Sequence, residues 1–170
     1  ILMSVSKSMI GLLSGIMMKR QGFYPEKPVI EILPEVATTA YKNATIRQLL
    51  DMRVGVHFEE DYMAASGPII EYRRSTNWDP VKSEQAHYNL RSFFQSLTKV
   101  VSPYNSPINY VSPNTDLLGW VLERVSQKPY ANLFSELIWQ KIGAEYNAYI
   151  TVDRLGAVSY THLTLPTKRI

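Results

Sequence analysis

The chain contains no cysteine among its 170 residues. Disulfides, thiolate nucleophiles and zinc-thiolate sites are excluded together by that absence, which leaves the compartment open. Histidine is scarce, with only His57, His87 and His162, so a Ser-His-Asp triad has little to draw on. His57 stands near Glu59, Glu60 and Asp61, but no second histidine lies at ligand spacing, and the stretch reads as a solvated loop and not a metal site. His87 reads as an exposed residue before a helix. Long apolar runs are missing too. The longest, Met9 to Met18, is about ten residues against the ~20 a membrane span requires. Lys7 precedes it, Lys19 and Arg20 follow it, and no small-residue cleavage site comes after, so it reads as a buried core helix and not a signal peptide. Charge is nearly balanced, with 18 basic and 15 acidic residues, or 16 and 15 when Lys168 and Arg169 are set aside. No long basic stripe points to nucleic acid. The apolar fraction of 45% is that of one ordinary globular domain.

What is present is a short motif at the start of the apolar run, Ser4-Val5-Ser6-Lys7. In a helix, residues three apart share a face, so Lys7 Nζ can reach Ser4 Oγ. A serine hydroxyl is a poor nucleophile until a neighbouring base activates it. A lysine can be that base when burial or a second cation favours its neutral form. The chain holds a second S-x-x-K, Ser96-Leu97-Thr98-Lys99. Leu90, Phe93, Phe94 and Leu97 recur around it at helical spacing, which places Ser96 mid-helix on a solvated face. Ser4 instead opens a helix, where unpaired amides could hold an oxyanion.

The pattern along the chain predicts a first helix over 4–21, with Gly22 as a C-terminal cap. Residues 27–34 read as extended with a short turn between Pro28 and Pro34. Thr45 is expected to cap a helix over 46–52 that ends near Gly55. Residues 57–65 read as a loop, 68–76 as a helix, 77–84 as a surface loop and 87–100 as an amphipathic helix. Residues 102–109 read as irregular. Ser112 is expected to be an N-cap, with Pro113 in the first turn of a helix whose apolar face is Leu117, Leu118, Val121, Leu122 and Val125. A further helix starts at Pro129 and ends near Gly143, with Leu133, Leu137 and Ile138 inward. Residues 148–152 read as a strand. Trp120 and Trp139 fall at core spacing. No internal repeat or low-complexity tract is visible.

Three stretches together carry a resemblance. Ser4-Val5-Ser6-Lys7-Ser8 with its helix, Thr45-Ile46-Arg47-Gln48-Leu49-Leu50-Asp51-Met52, and Asn109-Tyr110-Val111-Ser112-Pro113-Asn114-Thr115-Asp116-Leu117-Leu118-Gly119-Trp120-Val121-Leu122 resemble the class C-like serine beta-lactamase-like hydrolases. The text is most similar to the 6-aminohexanoate-dimer hydrolase-like proteins over roughly residues 3–156. The resemblance implies an α+β fold of the serine beta-lactamase/transpeptidase type, here mainly its helical region, with most of the antiparallel sheet missing. It implies Ser4 as the acylated nucleophile, Lys7 as its activator and Tyr110 as the proton relay to the leaving group. Ser112 stands where many class C-like enzymes carry Asn, and is expected to touch substrate. No S-D-N triplet is present, against the class A pattern. A tyrosine beside lysine cations favours its phenolate form, which could take the Ser4 proton and return it to a departing amine or alkoxide. Tyr62 and Trp78 are expected to wall the cleft, because this region faces the site in the family.

The implied reaction uses no cofactor or metal, and its substrate is a small amide or ester, a beta-lactam included. Oligomeric state stays open. The alternative is a catalytically inactive homologue that keeps the fold as a binding module, and a small independent helical interaction protein is a distant rival. The third family motif, a Lys-Thr-Gly or His-x-Gly strand, has no match in the chain. Residues 1–157 are expected to be a partial domain. The tail 158–170 reads as the conceptual translation of a sequencing adapter, so His162 receives no role. The 170-residue piece alone is expected to be inactive and prone to aggregate, because apolar surface lacks its sheet.

Overall fold

The apolar run forms the helix α1, Val5–Arg20. The computed structural model describes residues 3–20, 23–79, 89–104 and 107–164, so Gln21 and Gly22, where this helix was expected to end, lie outside the described residues. Ser6, Lys7, Ile10, Leu13, Ser14 and Met17 are buried along one stripe of α1, the spacing of a helix that packs on one face. The buried hydroxyl of Ser14 is satisfied by donating to the Ile10 carbonyl at 2.8 Å.

The segment expected to be extended over 27–34 instead makes two 3₁₀ turns, Val29–Glu31 and Pro34–Val36. Val29, Leu33 and Val36 are all fully buried, and a spacing of three to four residues suits turns that face one core. The Thr45 cap is borne out. Gln48 N donates to Thr45 Oγ1 at 3.3 Å and Thr45 N to Gln48 Oε1 at 2.9 Å, a reciprocal capping box. The helix it opens, α2, is shorter than expected, Ile46–Leu50, and Met52 turns the chain with φ 53°.

Beyond α2 the backbone runs against residues 99–101. Val56 bridges Val100, His57 N donates to Lys99 O at 2.8 Å and Val101 N to Gly55 O at 2.8 Å. Helix α3 covers Pro68–Ser75 and α4 covers Leu90–Ser96, the latter capped by Asn89. The expected start of α4 at His87 lies outside the described residues. Its end comes at Ser96 and not Val100, because Leu97 turns inward and its carbonyl accepts from Ala40 N at 2.7 Å. Ser96 is thus the last helical residue, its hydroxyl bonded to Phe93 O at 2.7 Å, and Lys99 lies past the helix. The second S-x-x-K is no helix-face pair.

Helix α5, Ser112–Ser126, is buried along most of its first three turns. Its N-cap is Val111, and Ser112 is the first helical residue, which corrects the expected cap. Helix α6, Tyr130–Phe134, continues into a π turn over Ser135–Trp139. Trp120 is buried, stacked on Phe94 at 6.0 Å. Trp139 is only half-buried, its indole N–H donating to Tyr146 O at 2.9 Å. Strands β1, Tyr149–Val152, and β2, Val158–Thr164, pair antiparallel with Tyr149 opposite Thr164 and Val152 opposite Val158. The described chain is mostly helical with this one small sheet, as expected for the helical region of an α+β fold. No described helix is long and apolar enough to cross a membrane.

The core between α3, α4 and α5 is aromatic. Phe58, Tyr72 and Phe93 meet edge-on or tilted at 5.4–5.8 Å, geometry that suits ring quadrupoles. Tyr72 is anchored there, its hydroxyl donating to the buried Asp116 carboxylate at 2.5 Å.

Candidate active site

The N-terminus of α1 meets the N-terminus of α5. Lys7 is buried on α1, and its Nζ donates to Ser4 Oγ at 2.9 Å and to Ser112 Oγ at 3.1 Å. The first contact follows from helical spacing. The second links residues 105 positions apart and depends on the fold. Ser4 is exposed at the mouth of the site while Ser112 is fully buried, so a bound molecule would reach Ser4 first. Met3, just before Ser4, adopts φ 46°, a left-handed conformation that a non-glycine residue adopts at a cost of about 1–3 kcal/mol.

The first turn partly corrects the expected oxyanion donors. Ser6 N bonds Met3 O at 3.1 Å and Lys7 N bonds Ser4 O at 3.0 Å. Those amides are engaged, which narrows the expectation to the amides of Ser4 and Val5.

Tyr110 is also brought to Lys7. The ammonium lies 5.3 Å from the centroid of its ring, within cation–π range, and the residue is 57% exposed. Its position is set by two asparagines. Asn109 Nδ2 donates to the carbonyls of Val54 and Val56, each at 3.1 Å, and Asn109 N donates to Met52 O at 2.7 Å. Asn114 Nδ2 donates to Val54 O at 3.2 Å and Asn109 O at 3.3 Å. The pair ties the segment before α5 to the extended segment after α2. Both asparagines flank Tyr110-Val111-Ser112 in the sequence, but nothing there marks them as anchors.

The residue that sequence reasoning missed is Glu60. The sequence pattern makes it part of a solvated loop, yet its carboxylate accepts from Ser112 N at 2.7 Å and from Ser112 Oγ at 2.5 Å. Val111 has no side-chain acceptor for the first turn of α5, so a carboxylate from the 57–65 loop supplies one. The Tyr62 hydroxyl also donates to Glu60 Oε1. Burial first, then this bond and the charge of Glu60, push the Tyr62 hydroxyl well above the usual tyrosine range, so Tyr62 stays a donor. Its ring stands 6.4 Å from that of Trp78. The two expected wall residues therefore do lie together, Tyr62 on the loop that carries Glu60 and Trp78 just past the end of α3.

The four sequence-predicted residues thus converge: Ser4, Lys7 and Ser112 in one hydrogen-bonded chain, and Tyr110 against the same lysine. The arrangement offers an exposed hydroxyl, a buried amine in contact with it, and a phenol alongside.

The comparisons with known proteins agree on the frame. The beta-lactamase family model matches residues 1–166. A 6-aminohexanoate-dimer hydrolase from Paenarthrobacter ureafaciens is 32% identical over 162 residues, covering 92% of this chain and 39% of that protein. A solved structure from Bacillus anthracis, assigned as a 6-aminohexanoate-dimer hydrolase, superposes with a TM-score of 0.81 at 24% identity, covering 95% of this chain and 42% of that one. EstCE1, a hydrolase with promiscuous acyltransferase activity, superposes with a TM-score of 0.66 at 23% identity, covering 92% and 41%. The chain therefore spans about two-fifths of the length of these relatives.

Proposed function

The chain belongs to the beta-lactamase family, and from that premise we propose that it carries the acylation machinery of a serine hydrolase acting on a small amide or ester. The observation that carries this reading is Lys7 Nζ, in hydrogen-bond contact with both Ser4 Oγ and Ser112 Oγ. Lys7, with Tyr110 beside it, acts as the base that accepts the Ser4 proton as Ser4 Oγ attacks the substrate carbonyl carbon. The tetrahedral intermediate collapses when the proton passes to the leaving amine or alkoxide, leaving an ester on Ser4. Water then attacks that ester, its proton returns to Ser4 Oγ, and the acid product departs. Tyr110 then passes the proton outward; its support is its exposure and its ring 5.3 Å from Lys7 Nζ. Ser112, fully buried, orients Lys7 and does not meet the expectation that it touches substrate.

Turnover is assigned to the full-length parent, because the chain spans 39% of its hydrolase relative. In this reading residues 1–157 are a partial domain, and the family match itself extends to residue 166. Amide, ester and beta-lactam substrates share the nucleophile and base, so the mechanism covers all three. Hydrolysis of a p-nitrophenyl ester by the full-length parent tests the reading. It is expected to be lost in Ser4→Ala, and turnover that survives the substitution would contradict it.

A further inference from the structure

We propose that Glu60 is a positioning residue for acylation, acting through Ser112 to keep the amine of Lys7 free to receive the Ser4 proton. This rests on the reading of Ser4 and Lys7 given above. A serine hydroxyl has one proton and two lone pairs. Glu60 Oε1 takes that proton at 2.5 Å while Glu60 Oε2 takes the Ser112 amide at 2.7 Å. With its proton committed, Ser112 Oγ can only accept from Lys7, and the 3.1 Å contact runs in that direction.

The polarity matters when Lys7 is neutral. A neutral amine has two N–H bonds and one lone pair. If Ser112 Oγ accepts one N–H, the lone pair is left for the Ser4 hydroxyl 2.9 Å away. If the Ser112 hydroxyl could rotate, it could donate into that lone pair and compete with Ser4. The Glu60 carboxylate, together with the Tyr62 hydroxyl that contacts both it and Ser112, holds that proton away from the amine. It lies 52 positions from Ser112 in sequence, on a loop whose neighbours Asp61, Tyr62 and Met63 are exposed. A carboxylate at the start of α5 also caps the helix. Capping alone predicts lower stability and no dependence on the Ser112 hydroxyl, so the two roles separate by experiment.

The test is a double-mutant cycle in the full-length parent, read as the rate of fluorophosphonate labelling at Ser4. Glu60→Gln presents only one oxygen where the carboxylate accepts three bonds, and is expected to slow labelling roughly tenfold, the scale of one hydrogen bond to a charged group. In a Ser112→Ala background there is no hydroxyl to misdirect. There Glu60→Gln is expected to add less than about twofold. Glu60→Asp, which keeps the charge, is expected to label faster than Glu60→Gln. If glutamine is not tolerated, as judged by thermal unfolding, Glu60→Ala repeats the cycle. A single variant within about twofold of wild type, or penalties that multiply in the double variant, would overturn the role of Glu60. Absence of labelling at Ser4 in the wild-type protein would instead overturn the reading on which it rests.

Discussion

Lys7 and Ser112 stand 105 positions apart in sequence and share a 3.1 Å hydrogen bond. That bond joins the starts of α1 and α5 and makes a local motif into a site. Lys7→Ala in the full-length parent is therefore expected to slow acylation by at least about a hundredfold, the lower end of what a positioned base contributes. Lys7→Arg should not restore the rate, because a guanidinium keeps its proton. Pre-steady-state release of p-nitrophenol measures both. An arginine variant as fast as wild type would remove Lys7 from the role of base.

Asn114 donates twice from a fully buried amide, to Val54 O and Asn109 O. Asn114→Leu keeps the volume close and takes this donor from Asn109 O, while Val54 O keeps its bond from Asn109 Nδ2. Loss of about 1–3 kcal/mol is expected from buried groups left unpaired, read from urea denaturation. Because the same bonds seat Tyr110, labelling at Ser4 should slow as well. A variant of unchanged stability would show that Asn109 alone holds the segment.

Gly55 is required by close approach. A Cβ there would lie 2.1 Å from Ser102 Oγ and 2.6 Å from Ser102 O. The second atom is backbone and cannot rotate away. Gly55→Ala is expected to cost about 1–3 kcal/mol, as overpacking does, and to lower the thermal midpoint. An alanine variant that melts with wild type would mean that the 55–57 and 99–101 segments separate without penalty.

Glu35 gives a pH signature away from the site. Burial works against its ionisation, but the hydrogen bond and charge of Arg124 outweigh it and hold the carboxyl below its usual value of 4.5. The unfolded state therefore binds the proton first on acidification. The stabilisation is complete above 4.5 and is lost as pH falls through the lower folded value. Both side chains are 35% exposed in the 2.6 Å pair, so it is worth under about 1 kcal/mol. The gap in urea midpoint between wild type and Glu35→Gln should shrink from about pH 6 to about pH 3. A gap that widens in acid would reverse the sign.

Local chemistry made much of the fold readable. The Thr45 cap, the helix that starts at Pro68 and the apolar positions of α5 all act over a few residues, and each stands where the sequence pattern placed it. Ser4 and Lys7 were readable for the same reason, being one helical turn apart. Failures came where a distant group decides. Val111 became the cap of α5 because Glu60, 52 positions from Ser112, supplies the acceptor a capping side chain would provide. Residues 27–36 coil into 3₁₀ turns because a core on one side takes Val29, Leu33 and Val36 together. Helix α4 stops at Ser96 because Leu97 O is claimed by Ala40 N. No local pattern could announce these partners.

Ser4 is the residue whose acylation every other proposed role serves. The direct measurement is fluorophosphonate labelling of the full-length parent, with the modified peptide identified by mass spectrometry. Labelling is expected at Ser4, on the peptide that also contains Lys7, and should vanish in Ser4→Ala. Undiminished labelling in that variant, or a label carried by another serine, would contradict it.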